Sequence, residues 1–171
     1  MNQAIMIGLR FVHIASGVFW AGAVFLMVGF IFPAVRASGP QAGRFMEEVA
    51  KRRLPVFMNA AAGLTMLSGI ILMASAMAST DGAWLDTRSG MGFAIGGAAA
   101  IIAGIIGGTV SRRGGQRMAK IGEAIKASGS PPTPEQAAEL GAVQARMAKA
   151  MRVVAALILV AVTSMATSRY L

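Results

Sequence analysis

The chain has 171 residues, 56% of them apolar and only 13% charged, with no cysteine and a formal net charge of +9. Mean hydropathy is +0.64, so a domain's length of chain carries the composition of an integral membrane protein. The missing cysteines exclude disulfides, thiolate metal sites, iron–sulfur clusters and thiol catalysis, and the distribution of basic residues argues against a nucleic-acid partner.

Four windows are long enough to cross ~30 Å of hydrocarbon as helices: roughly 11–32, 54–78, 91–111 and 153–168. The first follows no basic run and precedes no Ala-x-Ala site, so it reads as a permanent helix rather than a cleaved leader. It contains "RFVHIASGVFWAG" and, at His13, the only histidine of the chain. At ~100° per residue Arg10, His13, Gly17 and Trp20 share one face. Gly17 leaves room one turn below the imidazole, and Trp20 borders that space.

The second helix is expected to begin before the membrane, in "GRFMEEVAKRRLPVFMNAAAG", with Pro55 kinking it at the interface. Asn59 is its main polar residue and is expected to bond a neighbouring helix. On the third helix Gly92, Gly96, Ala100, Gly104 and Gly108 recur every four residues. Such a ladder admits a close helix, a second copy or a flat ligand.

"SGSPPTP" then breaks the chain at 128–134. Thr133, Pro134 and Gln136 supply an N-cap, an N1 proline and the N3 partner of a capping box. Helices three and four should therefore project beyond the membrane as a hairpin, with Met118, Ile121 and Ile125 facing Leu140, Val143 and Met147.

Of the sixteen Lys and Arg, five lie in 34–53 and eight in 112–152; only Arg10, Arg88 and Arg169 fall elsewhere. By the positive-inside rule both basic segments, and the hairpin, are cytoplasmic, and both termini face outward. The expected fold is an all-α integral membrane four-helix bundle, a single domain over 1–171, N-out and C-out. Its helices should run over about 4–34, 43–78, 90–127 and 134–169, in a bacterial inner (cytoplasmic) membrane.

A histidine inside a membrane helix is a functional-site hypothesis by default. His13 lies ~4.5 Å inward of Arg10 and Met165 ~6 Å inward of Arg169, by helix rise. The first and fourth helices of an up-down bundle are neighbours, so Met165 is the first choice of partner. Imidazole with thioether suits haem iron, with Met165 or the His13 of a second copy opposite. It also suits copper, with His13, Met73, Met77, Met91 and Met165 as the set. Arg10 and Arg169 match haem propionates and would not assist copper. Against both stands a structural His13 bonded to a backbone carbonyl, with Arg10 and Arg169 as interfacial anchors. Neither an intramembrane carboxylate pair, a P-loop nor a dinucleotide fingerprint occurs.

The run "LRFVHIASGVFWAGAVF", with His13, Trp20 and Gly22, resembles the first helix of the copper-resistance protein D-like superfamily, which includes membrane protoporphyrinogen oxidases of the HemJ type. "KRRLPVFMNAAAGLTMLSGIILM" resembles their second helix, and "MATSRYL" the end of the smaller members. The resemblance implies a first-helix histidine as haem ligand, which falls on His13, or copper uptake through histidine and methionine. It also implies a third-helix lysine for protoporphyrinogen oxidation, and residues 91–111 contain none. Copper-resistance members have about eight helices, twice the number here.

The expected function is thus a haem b-binding membrane protein with an electron-transfer or redox role near the outer face. His13 and Met165 would be its ligands, Arg10 and Arg169 its propionate partners, and Gly17 and Trp20 its pocket wall. The alternatives are a copper-binding or copper-transport protein and a cofactor-free structural subunit. The expected partners are membrane lipid and a second copy or a larger membrane complex.

Overall fold

The computed structural model describes residues 2–38 and 42–170; residues 1, 39–41 and 171 of the expected single domain lie outside the described residues. Four helices are long and apolar enough to cross a bilayer, the architecture of a multi-pass membrane protein. Helix one is Gln3–Ala37, helix two Leu54–Ala78, helix three Arg88–Ser128 and helix four Pro134–Thr167. Short helices at Ala42–Lys51 and Ala83–Asp86 lie in the connections.

Helix one is α-helical over Gln3–Leu26, π-helical over Met27–Ile31 and α-helical again over Phe32–Ala37. The Phe32 amide donates to the Met27 carbonyl, five residues back. Pro33 accounts for this widening: it has no N–H, and its ring would press on the carbonyl of Gly29 in a regular α-turn.

The sequence suggests one helix over 43–78 with a kink, whereas the chain forms two helices separated at Arg52 and Arg53. Arg53 adopts a left-handed conformation, φ 57°. Pro55 is again the cause, because its ring would collide with the carbonyl of residue 51 if the preceding helix continued. It sits instead in the first turn of helix two, where its missing N–H costs nothing.

At the far end of helix three Gly129 closes the helix with φ 61°. Four residues later the capping box is present: the Thr133 side chain accepts from the Gln136 amide, and the Gln136 side chain accepts from the Thr133 amide. Backbone N–H at this helix start, and then the Thr133 hydroxyl, hold the Glu135 carboxyl below its ordinary range.

The helices associate as two hairpins, helix one lying along helix two and helix three along helix four. The glycine ladder shows why the second seam is so close. A Cβ on Gly92 would collide with the Ser168 hydroxyl, one on Gly114 with the Met147 sulfur, and one on Gly96 would stand 2.7 Å from Met165 Cγ and 3.0 Å from the Ala161 carbonyl. Ser164 donates to the Gly92 carbonyl at 2.7 Å across the same seam. A four-residue step advances ~400° and so drifts ~40° per rung. Gly104 has accordingly turned toward the other hairpin, where Met66 covers it and Trp20 Cη2 stands 3.9 Å from its Cβ position. Three rungs of the ladder, Gly92, Gly96 and Gly104, are covered by residues of this chain, so there it serves packing.

The two hairpins meet in an apolar core that includes Trp20, Val24, Ala61, Ala62, Ala103, Met151, Val154 and Ile158. Past the apolar windows, helices three and four stay together with Ile121 buried between them and an ion pair from Arg117 to Glu139. Phe11 and Val18 on helix one are 72% and 69% exposed, as expected of side chains that face lipid.

Candidate functional site around His13

Call the end of the bundle that carries Gln3, the 79–87 connection and Tyr170 the terminal end, and the opposite one the basic end. Trp20 and Gly104 touch, which fixes a common level on helices one and three. His13 is seven residues toward the terminal end from Trp20, roughly 10 Å by helix rise. Gly96, which carries Met165, is eight residues from Gly104 in the same direction, roughly 12 Å. The two candidate ligands therefore sit at comparable depth.

They do not share a seam. His13 is half-buried against helix two, and its Nδ1 lies 2.8 Å from the Thr65 carbonyl oxygen. A carbonyl only accepts, so Nδ1 carries the proton and Nε2 of the neutral ring keeps the lone pair. Among the described residues the protein provides no hydrogen-bond partner for Nε2. Gly69 makes room for the ring: a Cβ there would stand 2.8 Å from Cε1, 3.1 Å from Nδ1 and 3.8 Å from Nε2. The Nδ1–Cε1 edge is thus the one turned to helix two.

Three hydroxyls surround this contact. Ser16 and Thr65 lie 2.8 Å apart across the seam, and each also reaches a carbonyl of its own helix, Val12 for Ser16 and Ala61 for Thr65. With two hydrogens for three contacts, one hydroxyl donates across the seam at any moment. Ser68 Oγ is 3.4 Å from His13 Nδ1 and donates to the Leu64 carbonyl. Thr65 and Ser68 are both buried.

The remaining expected residues divide. Gly17 lies in the same seam, its Cβ position 3.5 Å from the Thr65 methyl, and Trp20 closes the seam two turns below His13, buried in the core. Arg10, one turn above His13, is exposed. Met165 is engaged with Gly96 in the other seam, and the Arg169 guanidinium lies over the Tyr170 ring, 5.5 Å from its centroid. Met73 and Met77 are half-buried on helix two, Met91 is exposed on helix three, and Asn59 is exposed rather than packed between helices.

Residue-level reading of the sequence did not single out Ser16, Thr65, Ser68 or Gly69. A signal existed in "LTMLSG": Thr65, Ser68 and Gly69 fall at i, i+3 and i+4, a small and polar stripe suited to a close helix contact. It also passed over Met6, whose sulfur accepts from Ser75 Oγ at 3.7 Å in the same seam, two turns nearer the terminal end.

This donor set can supply one axial position for a haem iron: a single imidazole with Nδ1 anchored and Nε2 carrying the lone pair fits that role. Among the described residues no group of three or more His, Cys, Asp or Glu comes together, so any metal held at His13 would take its other ligands from thioethers, from the bound group itself or from another chain. No protein-family model matches the chain, and no curated protein or solved structure matches it either.

Proposed function

We propose that this chain is a haem b-binding membrane protein with an electron-transfer or redox role, in which His13 Nε2 is an axial ligand. The observation that carries the reading is the 2.8 Å contact between His13 Nδ1 and the Thr65 carbonyl. A bond of this kind sets the tautomer, fixes the ring plane and raises the basicity of the other nitrogen, as it does for metal-bound histidines generally. A haem held there would supply one-electron chemistry, with its potential set by the axial ligands and by burial.

Helix one has room to be covered on this side. None of residues 3–19 is buried, whereas Trp20, Ala21, Val24 and Met27 are. The opposite ligand is the His13 of a second copy, or Met165, from comparable depth, once it leaves its place against Gly96. Arg10 and Arg169 sit at the same end of the bundle and suit anionic propionates. The positive-inside rule puts that end at the outer face of a bacterial inner membrane and the basic hairpin in the cytoplasm. The chain would act as a homodimer or as a subunit of a larger membrane complex.

One observation favours copper as a second reading. Met6 faces helix two in the seam of His13, two turns nearer the terminal end, so a soft sulfur lies on the same side of helix one as the imidazole. Haem, iron and copper per chain, measured on protein purified from haem- and copper-sufficient cells, test both readings. Close to one haem per chain or per two chains, lost in His13→Ala, supports the first. Copper without haem, lost in the same variant, supports the second.

A further inference from the structure

We propose that the basic end of the bundle holds an anionic phospholipid in a groove between helices one and four, with Arg36 and Arg152 clasping its phosphate. The proposal is independent of the reading of His13, which lies toward the opposite end. The groove has a volume of about 260 Å³ and is lined by Val28, Phe32, Pro33, Arg36, Ala148 and Arg152. Its composition is that of a lipid site: four apolar residues to take acyl chain, and two arginines from different helices.

Three features support this occupant. First, both arginines sit where an apolar stretch ends, Arg36 in the last turn of helix one and Arg152 immediately before the apolar part of helix four. That is the headgroup level of a bilayer. Second, both are exposed, and among the described residues neither has a carboxylate partner; the ion pairs found there involve Lys51 with Glu47 and Glu48, and Arg117 with Glu139. Two like charges that share one groove repel until an anion lies between them. Guanidinium forks bind phosphate oxygens bidentately, and basic pockets between helices at a membrane surface suit anionic headgroups. Third, the wall on helix one is formed by Val28 of the π-helical turn Met27–Ile31 and by Phe32 and Pro33 just after it, so a break in the regular helix coincides with the groove.

A second basic patch, around Arg112, Arg113 and Gln116, supplies the control. Its lining residues, Gly104 to Gln116, all belong to helix three, so it offers no groove between helices. The test is native mass spectrometry of delipidated protein in detergent, titrated with phosphatidylglycerol and with phosphatidylcholine of the same acyl chains. The expected result is one preferred phosphatidylglycerol per chain, with Arg36→Gln/Arg152→Gln roughly tenfold weaker and each single variant intermediate. Arg112→Gln/Arg113→Gln, which removes the same charge, should bind within about twofold of wild type. Equal losses in the two double variants would overturn the proposal, since attraction would then be diffuse. Equal binding of the two lipids would overturn it as well. So would displacement of the lipid by millimolar inorganic phosphate, which would mark a site for the free anion. Monodisperse elution and unchanged helicity establish that each variant is folded, and the single variants stand in if the double one is not.

Discussion

Gly69 of helix two lies directly against the imidazole of His13 on helix one: a methyl group at Gly69 would stand 2.8 Å from Cε1 and 3.1 Å from Nδ1. The ring cannot retreat freely, because Nδ1 is tied to the Thr65 carbonyl one turn away. Gly69→Ala must therefore break that bond or part the helices. It should lower the melting temperature in detergent, at a cost of about 1–3 kcal/mol, and reduce whatever His13 binds. Gly17→Ala is the matched comparison. Its new methyl would meet the Thr65 methyl at 3.5 Å, an ordinary contact, so stability should hold or rise by about 0.5–1 kcal/mol from the better helix former.

Thr65→Val separates the hydroxyl network from the ligand. The bond that orients His13 uses the main-chain oxygen of Thr65, which valine retains. The side-chain link to Ser16 disappears, with an expected loss of about 0.5–1.5 kcal/mol. Cofactor content should equal that of wild type, and a spectrum or metal assay on the purified variant checks it.

The rungs of helix three should differ sharply. Gly96→Ala brings a methyl to 3.0 Å from the Ala161 carbonyl, a backbone atom that cannot step aside, and should destabilise the fold by about 1–3 kcal/mol. Gly108 has nothing within 4 Å of its Cβ position, so Gly108→Ala should be neutral or slightly stabilising. Melting curves of the two variants in one detergent make the comparison.

At the start of helix four, Thr133→Ala should cost about 1 kcal/mol through loss of the cap. The local pH dependence follows from Glu135, whose carboxyl is held below its ordinary value. The ionised carboxylate is favoured in the folded chain, so its support is present at neutral pH and is lost as pH falls through the lowered folded value. Protection factors of the amides at 135–138, taken against the intrinsic exchange rate at each pH, should fall in acid, and less so in Thr133→Ala.

Much of the architecture was legible because membrane helices announce themselves by length and hydropathy. The window 54–78 coincides with helix two, and the capping box at Thr133 is present. The division at Arg52 and Arg53 is not legible, because charge and apolar residues continue at helical spacing through it and Pro55 fits a kink as well as a break. The face on which His13 lies was legible, with Gly17 and Trp20 in line. Its partner helix was not, since composition does not tell how neighbouring helices are rotated. Thr65 and Ser68 look in sequence like hydroxyls that bond their own helix, as both also do, and only the packing shows them around the imidazole. Depth alone singles out Met165, and its engagement with Gly96 follows from the glycine ladder that the sequence displays separately.

The most direct measurement of the central claim is the absorption spectrum, oxidised and dithionite-reduced, of protein purified in detergent from haem- and copper-sufficient cells, wild type beside His13→Ala. The account predicts a Soret band and a reduced α-band in the wild type, both lost or strongly diminished in the variant while its helicity is retained. Featureless spectra in both proteins would contradict haem ligation by His13, and so would identical haem bands in the two.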